Sequence, residues 1–442
     1  MTNDMTKGSP VKLIIQFMIP MCLGNLFQQL YNVADSIIAG QFLGVDALAA
    51  IGSTSSLIFL VTGWLNGLTS GFAIWVAQAF GARKLDDMRH YVAMSIYISL
   101  AVVILMTGGL LWANEPILRL MNSPEDLLPD IRTYMAIIYA GLLATGAYNA
   151  LAAVLRALGD SKSPLYFLII SAALNVGMDI GFILWFGMGV EGCAYATVIA
   201  QAISAVLCLI YIIKKFEILR LKKEDFRFSP ETVKRLLKLG VPMGLQFSIT
   251  AVGAIIMQGA VNVYGAVYMA GVSAANKIQN IVVTVFTSFG ATIATYVGQN
   301  EGAGYFDRVK KGIKVTQLMI LAWSVVMILL IVFCGRYLVY IFISPEETEV
   351  IEAALIYFRV ACWAYPMLGS IFLYRNALQG MGYGLVPMLG GVFELVARAS
   401  IIFLVAGHTT FAGVCLADPA AWVAALIPLI PYYIVVVRKR RG

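Results

Sequence analysis

The chain has 442 residues, of which 60% are hydrophobic and only 12% are charged. Ordinary soluble domains do not combine these two fractions, so the composition predicts a polytopic membrane protein. The net charge of +7 therefore does not indicate a nucleic-acid partner, and the six single cysteines, without CxxC spacing, support neither a disulfide framework nor a zinc site.

The first predicted span lies within residues 9–40, where Ser9 and Pro10 indicate the N-cap and first residue of a long apolar helix. Pro20 removes a backbone donor inside this helix and predicts a bend there. Asp35 is a carboxylate near the outer end of the span, and in hydrocarbon it would cost at least about 2.5 kcal/mol. We expect Asp35 to face a wet cavity or a partner, with a simple cap at the span end as the alternative.

Apolar segments predict twelve transmembrane helices in an all-α fold, and this even number places both termini on one side of the membrane. Lys and Arg residues concentrate in the segments on that side, which the positive-inside rule identifies as cytoplasmic. Among the basic residues, only Lys277 and Arg398 fall within predicted spans. The twelve spans are centred near Gly24, Trp64, Ile104, Ala144, Leu174, Ala202, Ala254, Thr284, Met327, Met367, Val396 and Ala424.

The second half of the chain repeats landmarks of the first half in the same order, at a shift of 221 to 223 residues. The aligned pairs include Gly44 with Gly265 and Gly159 with Gly382. Because a chance alignment would not keep this order, we predict an internal repeat.

The repeat predicts an N-lobe at residues 1–213, a basic cytoplasmic linker at 214–238 and a C-lobe at 239–442, with six spans in each lobe. Parallel repeats of this kind are related by a pseudo-two-fold axis along the membrane normal, with a cleft between the lobes. A two-lobed cleft favours transport by alternating access, although channels and scaffolds also contain repeats.

Polar residues of the first half are predicted to share one depth in the membrane. Asp179 and Asn175 are four residues apart on one helix face, and at 1.5 Å per residue Asp179 lies roughly 22 Å from the inner surface. Asp35 and Thr197 lie near the same level. Two carboxylates close together in a low dielectric, with neutral oxygens beside them, suit a proton or Na⁺. A purely structural, hydrogen-bonded Asp179 is the alternative.

With these features the chain resembles a bacterial multidrug and toxic compound extrusion (MATE) transporter. The resemblance covers essentially the whole length and is carried by Pro20, Asp35 in NLFQQLYNVADSIIAG, Asn149 in YNALAAVLRALGDSKSP, Asn175 and Asp179 in LNVGMD, and Thr197 in GCAYATVIAQ. It implies a bent first helix, a cation site in the N-lobe that Asn149 and Tyr134 would join, and amphipathic organic cations as substrates. Because Tyr134 lies near a span end, an anchor at the membrane interface is the alternative for this residue.

The second half departs from this pattern, since Met257 lies opposite Asp35 under the repeat. Instead its spans contain Lys277, Glu394, Arg398 and Asp418, whose charges sum to zero. Glu394 and Arg398 are four residues apart on one helix and are predicted to pair. We interpret these four residues as a structural polar cluster, with a second coupling site as the alternative.

The sequence therefore predicts an H⁺- or Na⁺-coupled antiporter that exports amphipathic, mostly cationic organic compounds. We expect no cofactor besides the coupling ion, no enzymatic activity, and a monomer in the cytoplasmic membrane, with the bilayer and small organic cations as its partners. A flippase for lipid-linked oligosaccharides is the alternative, but its cleft would need several unpaired basic residues. A membrane-embedded enzyme is disfavoured because no catalytic His, Cys or Ser constellation is visible.

Overall fold

The computed structural model describes residues 4–121, 124–405 and 410–440. In these residues all regular secondary structure is helical, with three short 3₁₀ helices and no strand. The α-helices are α1 (Pro10–Phe42), α2 (Val45–Gly81), α3 (Leu85–Trp112), α4 (Asn114–Leu120), α5 (Leu128–Ala140), α6 (Leu142–Ala157), α7 (Lys162–Leu184), α8 (Val190–Lys215), α9 (Pro230–Asn262), α10 (Ala266–Gly302), α11 (Phe306–Val339), α12 (Thr348–Ala361), α13 (Tyr365–Gly380), α14 (Leu385–Val405), α15 (Phe411–Cys415) and α16 (Ala417–Lys439).

The number of membrane spans agrees with the predicted twelve. Eleven helical segments in the described part of the chain are long and apolar enough to cross a bilayer, with α12 and α13 forming one of them and α15 and α16 another. A further pair, α5 and α6, is bent by 45° between Ala140 and Leu142 and passes the same test when its halves are joined. When this pair is counted as one broken span, the total is twelve spans.

The internal repeat is visible in the lengths and boundaries of the helices. α1 and α9 have 33 residues each, and α2 and α10 have 37 each. Gly44 and Gly265, which precede α2 and α10, have φ angles of +93° and +89°. This left-handed conformation is easily adopted only by glycine, so the same turn is required by the same residue in both halves.

The described residues form two compact units, here called the N-unit and the C-unit. The N-unit comprises Asp4 and residues 19–244, and the C-unit comprises residues 5–18 and 245–440. The change from one unit to the other therefore falls inside α1 and inside α9, whereas the predicted lobes begin and end at the linker. The predicted lobe boundaries stay a prediction.

The predicted linker is held against α3 of the N-unit. The carboxylate of Asp225 forms an ion pair with Nε of Arg89 at 3.4 Å, and Nδ1 of His90 lies 2.9 Å from the Asp225 carbonyl oxygen. After this segment, Pro230 begins α9 just as Pro10 begins α1, where the helix start was predicted. α1 continues as a helix through Pro20, and the predicted bend at that residue stays a prediction.

Candidate cation site in the N-unit

Two carboxylates from different helices of the N-unit meet inside the protein. Asp35 lies on α1 and is 9% exposed, and Asp179 lies on α7 and is fully buried. Their carboxyl groups lie near each other and interact electrostatically. Each also offers an oxygen within 4.8 Å of the other and of Sγ of Cys193 on α8. Three helices that are distant in the sequence therefore bring their polar atoms to one point.

The oxygens of this carboxylate pair lack hydrogen-bond donors. Oδ1 of Asp35 and both carboxylate oxygens of Asp179 are buried without a donor, and the ion pairs of the described residues include no Lys or Arg partner for either acid. Two neighbouring buried carboxylates strongly disfavour being charged together unless a cation lies between them. The arrangement therefore fits a site for a proton or a small cation.

Neutral oxygens complete one side of this site. Nδ2 of Asn175 lies 3.4 Å from Oγ1 of Thr197, a long contact, while the other amide atom, Oδ1, is buried without a partner. Asn175 is fully buried one helical turn before Asp179 on α7. Hard cations prefer carboxylate, amide and hydroxyl oxygens, and these residues offer all three. The structure thus brings together all four residues for which sequence analysis predicted a sodium site: Asp35, Asn175, Asp179 and Thr197.

Two residues of this site were absent from the sequence prediction. The hydroxyl of Tyr31 lies 3.1 Å from Oγ1 of Thr197, and Cys193 offers its sulfur to both acids. Tyr31 precedes Asp35 by four residues, and Cys193 precedes Thr197 by four. The i, i+4 spacing on a helix, which links Asn175 to Asp179, would have identified both of them.

Family resemblance alone implied two further residues for this site, Tyr134 and Asn149. Tyr134 on α5 is buried in the same cluster as Cys193, and its phenol group interacts electrostatically with Asp35 and Asp179. Asn149 lies half-exposed on α6. No hydrogen bond within the described residues links its side chain to either acid. The place of Asn149 in this site therefore stays a prediction.

The C-unit contains a charged cluster of a different kind. Arg398 on α14 makes ion pairs of 3.1 Å with both Glu394 and Asp418, so the predicted pairing of Glu394 with Arg398 is present. Arg375 on α13 pairs with the second oxygen of Glu394 at 3.3 Å. The hydroxyl of Tyr357 on α12 donates to Asp418 over 2.8 Å. Each acid of this cluster thus has a basic partner.

Two predictions about basic residues in the spans are corrected by this cluster. Lys277 is exposed, with its ammonium 5.1 Å from the ring centre of Phe342, and none of the described ion pairs joins it to the cluster. Arg375 is buried inside a span, although the sequence count had left it outside all spans. The cluster therefore contains Arg375 and not Lys277, and the formal charges of its two arginines and two acids still sum to zero.

Comparisons with known proteins identify the family. The MatE family model matches residues 20–181 and 242–404, one match in each half of the repeat. The chain is 28% identical to YoeA of Bacillus subtilis (strain 168), a probable multidrug resistance protein, over 100% of this chain and 97% of that protein. It is 30% identical to YpnP of the same organism, also a probable multidrug resistance protein, over 86% of this chain and 84% of that protein.

Solved structures confirm the predicted fold. An outward-facing multidrug resistance MATE transporter of the MOP superfamily aligns with a TM-score of 0.92, at 20% identity, over 99% of this chain and 98% of that one. The family match, the relatives and the fold agree with the resemblance seen in the sequence. The chain therefore belongs to the MATE family of multidrug efflux transporters, and it is a membrane transporter rather than an enzyme.

Proposed function

We propose that this protein is an antiporter in which H⁺ or Na⁺ binds at the Asp35–Asp179 pair and drives the export of amphipathic organic cations by alternating access. The observation that carries the proposal is the set of carboxylate oxygens buried without donors or basic partners. A buried charge of this kind is costly unless a cation neutralises it. A mobile cation provides that neutralisation.

The same property couples the ion to the substrate. A bound proton or Na⁺ removes the negative charge that would hold an organic cation in the N-unit. The coupling ion and the organic cation therefore compete for the negative charge of the Asp35–Asp179 pair, directly or through the shape of the site. A ligand shifts a conformational equilibrium only by its difference in affinity for the two states, and neutralisation of this pair supplies such a difference.

The test is substrate efflux from proteoliposomes under an imposed proton gradient and, separately, an imposed sodium gradient. We expect Asp35→Asn and Asp179→Asn each to lower gradient-driven ethidium transport by at least about tenfold. A neutral amide has no negative charge for the coupling ion to neutralise. The gradient that drives the unchanged protein identifies the coupling ion.

Asp130→Asn is the matched control, since Asp130 is an exposed acid in the first turn of α5 and its removal leaves the site intact. This variant should transport at the normal rate. Normal transport by both site variants under either gradient would refute the proposed coupling.

We further propose that the chain acts as a monomer in the cytoplasmic membrane with both termini cytoplasmic. The uneven distribution of Lys and Arg between alternate loops supports this orientation. Impermeant labelling of single cysteines introduced near either terminus should occur only from the cytoplasmic side. Export of lipid-linked oligosaccharides receives less support, because the buried Arg375 and Arg398 are already paired with acids.

A further inference from the structure

The sulfur of Cys193 gives the N-unit site a donor that neither a proton nor Na⁺ requires. Sγ of Cys193 and one oxygen each of Asp35 and Asp179 lie within 4.8 Å of one another, and all three residues are buried. The three donors come from α1, α7 and α8, so their meeting is a property of the fold rather than of one helix. Both oxygens of Asp179 are buried without a donor.

We propose that these three side chains bind one thiophilic divalent cation of the zinc group. Zinc binds thiolate sulfur at about 2.3 Å and carboxylate oxygen at about 2.0–2.2 Å, so tetrahedral ligands lie roughly 3.3–3.6 Å apart. The observed limit of 4.8 Å is compatible with this separation after a small closure. Three protein ligands leave the fourth position for water, and a thiolate selects the softer metals over Mg²⁺ or Ca²⁺.

The protonation of the site changes when such an ion binds. Before binding, the two acids carry one proton between them and the Cys193 thiol keeps its own, which leaves one negative charge. Coordination by both carboxylates and the sulfur requires all three ligands to be deprotonated, so two protons leave to solvent as the divalent cation enters. The net charge of the site therefore stays at minus one, and the cation takes the place of the two protons.

The metal would occupy the oxygens that the proposed function assigns to the coupling ion. Cadmium, a member of the same thiophilic group, should therefore inhibit gradient-driven efflux. When each protein is compared with its own metal-free rate, Cys193→Ser should raise the cadmium concentration that halves efflux. This inference uses the same carboxylate pair as the proposed function, but metal binding itself does not depend on transport.

The decisive measurement is titration of the purified protein in lipid nanodiscs with Cd²⁺ alone, read by the ultraviolet charge-transfer absorption of a cadmium thiolate. We expect one equivalent to bind and two protons to be released. Cys193→Ser should abolish the absorption and weaken cadmium binding at least about a hundredfold, because loss of outer-shell partners alone weakens metal sites by about 10–100-fold.

Cys334→Ser is the matched control, since Cys334 is an exposed cysteine outside the site and its loss should leave the absorption unchanged. If Cys193→Ser does not fold, X-ray absorption of the cadmium-loaded unchanged protein provides the test. A metal shell with one sulfur and several oxygens supports the site, and a shell without sulfur overturns it. Equal cadmium absorption in Cys193→Ser and the unchanged protein also overturns it.

The outcomes separate this inference from the proposed function. Absence of cadmium binding together with normal H⁺- or Na⁺-driven efflux refutes the metal site and leaves the antiporter intact. Cadmium binding through Cys193 together with normal efflux by Asp35→Asn and Asp179→Asn supports the metal site and refutes the antiporter mechanism.

Discussion

The two units place acids inside the membrane under opposite conditions. In the N-unit, Asp35 and Asp179 have no basic partner among the described ion pairs, and three of their oxygens lack donors. In the C-unit, Glu394 and Asp418 are both paired with Arg398 at 3.1 Å. An unpaired buried acid requires a mobile cation, whereas an acid with a permanent partner is already neutralised. The contrast favours ion binding in the N-unit and a structural role for the C-unit cluster.

The repeat shows that the two centres are variations of one arrangement. At shifts of 221 to 223 residues, Arg398 corresponds to Asn175 and Asp418 corresponds to Thr197. Within the N-unit the side chains of Asn175 and Thr197 are in contact, and within the C-unit those of Arg398 and Asp418 are. A neutral contact in the N-unit has thus become an ion pair in the C-unit. Met257 takes the position of Asp35, so the C-unit also lacks the second acid at that point.

The comparison is tested most strongly by removing Arg398. Arg398→Met leaves Glu394 and Asp418 with one fewer buried partner each, and breaking a buried pair in this way costs about 3–5 kcal/mol. We expect the free energy of unfolding, measured by denaturant titration in detergent micelles, to fall by about that amount.

Asp179→Asn is the counterpart in the N-unit, because it removes a buried charge that has no partner. Its free energy of unfolding should stay the same or rise, since the cost of burying an unpaired charge disappears. Equal destabilisation by the two substitutions would show that the N-unit acids also have permanent partners.

A second and smaller difference concerns two tyrosines that correspond under the repeat, Tyr357 and Tyr134. The hydroxyl of Tyr357 donates to the carboxylate of Asp418 over 2.8 Å. Tyr357→Phe should therefore lower the free energy of unfolding by about 1.5–3 kcal/mol, the range for a hydrogen bond to a charged group.

Tyr134→Phe should change the free energy of unfolding by less than about 0.5 kcal/mol, because no hydrogen bond of its hydroxyl is found within the described residues. Thermal unfolding of the two variants in the same detergent provides the comparison. If Tyr134→Phe lowers the free energy of unfolding more than Tyr357→Phe does, the tyrosine hydroxyl that stabilises the fold lies in the N-unit and not in the C-unit.

Features that depend on short distances along the chain were predictable from the sequence. The helix start at Pro10, the repeat, and the ion pair between Glu394 and Arg398 are present as predicted. Each of them follows from helical spacing, from proline chemistry or from the order of landmarks. The shared depth of Asp35 and Asp179 was likewise estimated from the helical rise alone.

Features that depend on which helix faces which were not predictable from the sequence. Arg375 contacts Glu394 from a neighbouring helix, and its place near the end of an apolar run made it look like a loop residue. Lys277 has the same charge, but it packs over Phe342 instead. The place of Asn149 in the N-unit site, which rests on family resemblance, likewise stays a prediction.

The smallest effect is expected at Gly253 on α9, which corresponds to Tyr31 under the repeat. A methyl group added at Gly253 would collide with Nη1 of Arg398, so this buried glycine makes room for the guanidinium. Gly253→Ala should lower the free energy of unfolding by about 1 kcal/mol, the lower end for overpacking, because the end of a long side chain can shift.

Gly259 is the matched control for that substitution, since it lies on the same helix with nothing within 4 Å of an added methyl group. Gly259→Ala should not lower the free energy of unfolding. It should raise it by a few tenths of a kcal/mol, up to about 1 kcal/mol, because alanine has a higher helix propensity than glycine.

The result that matters is the sign of the difference in free energy of unfolding between the two variants. If Gly253→Ala is as stable as Gly259→Ala, the guanidinium of Arg398 has freedom to move, and the C-unit cluster is less rigidly paired than its distances indicate. A loss confined to Gly253→Ala means instead that the place of Tyr31 in the N-unit is occupied in the C-unit by a fixed positive charge, which leaves no room for a second mobile cation.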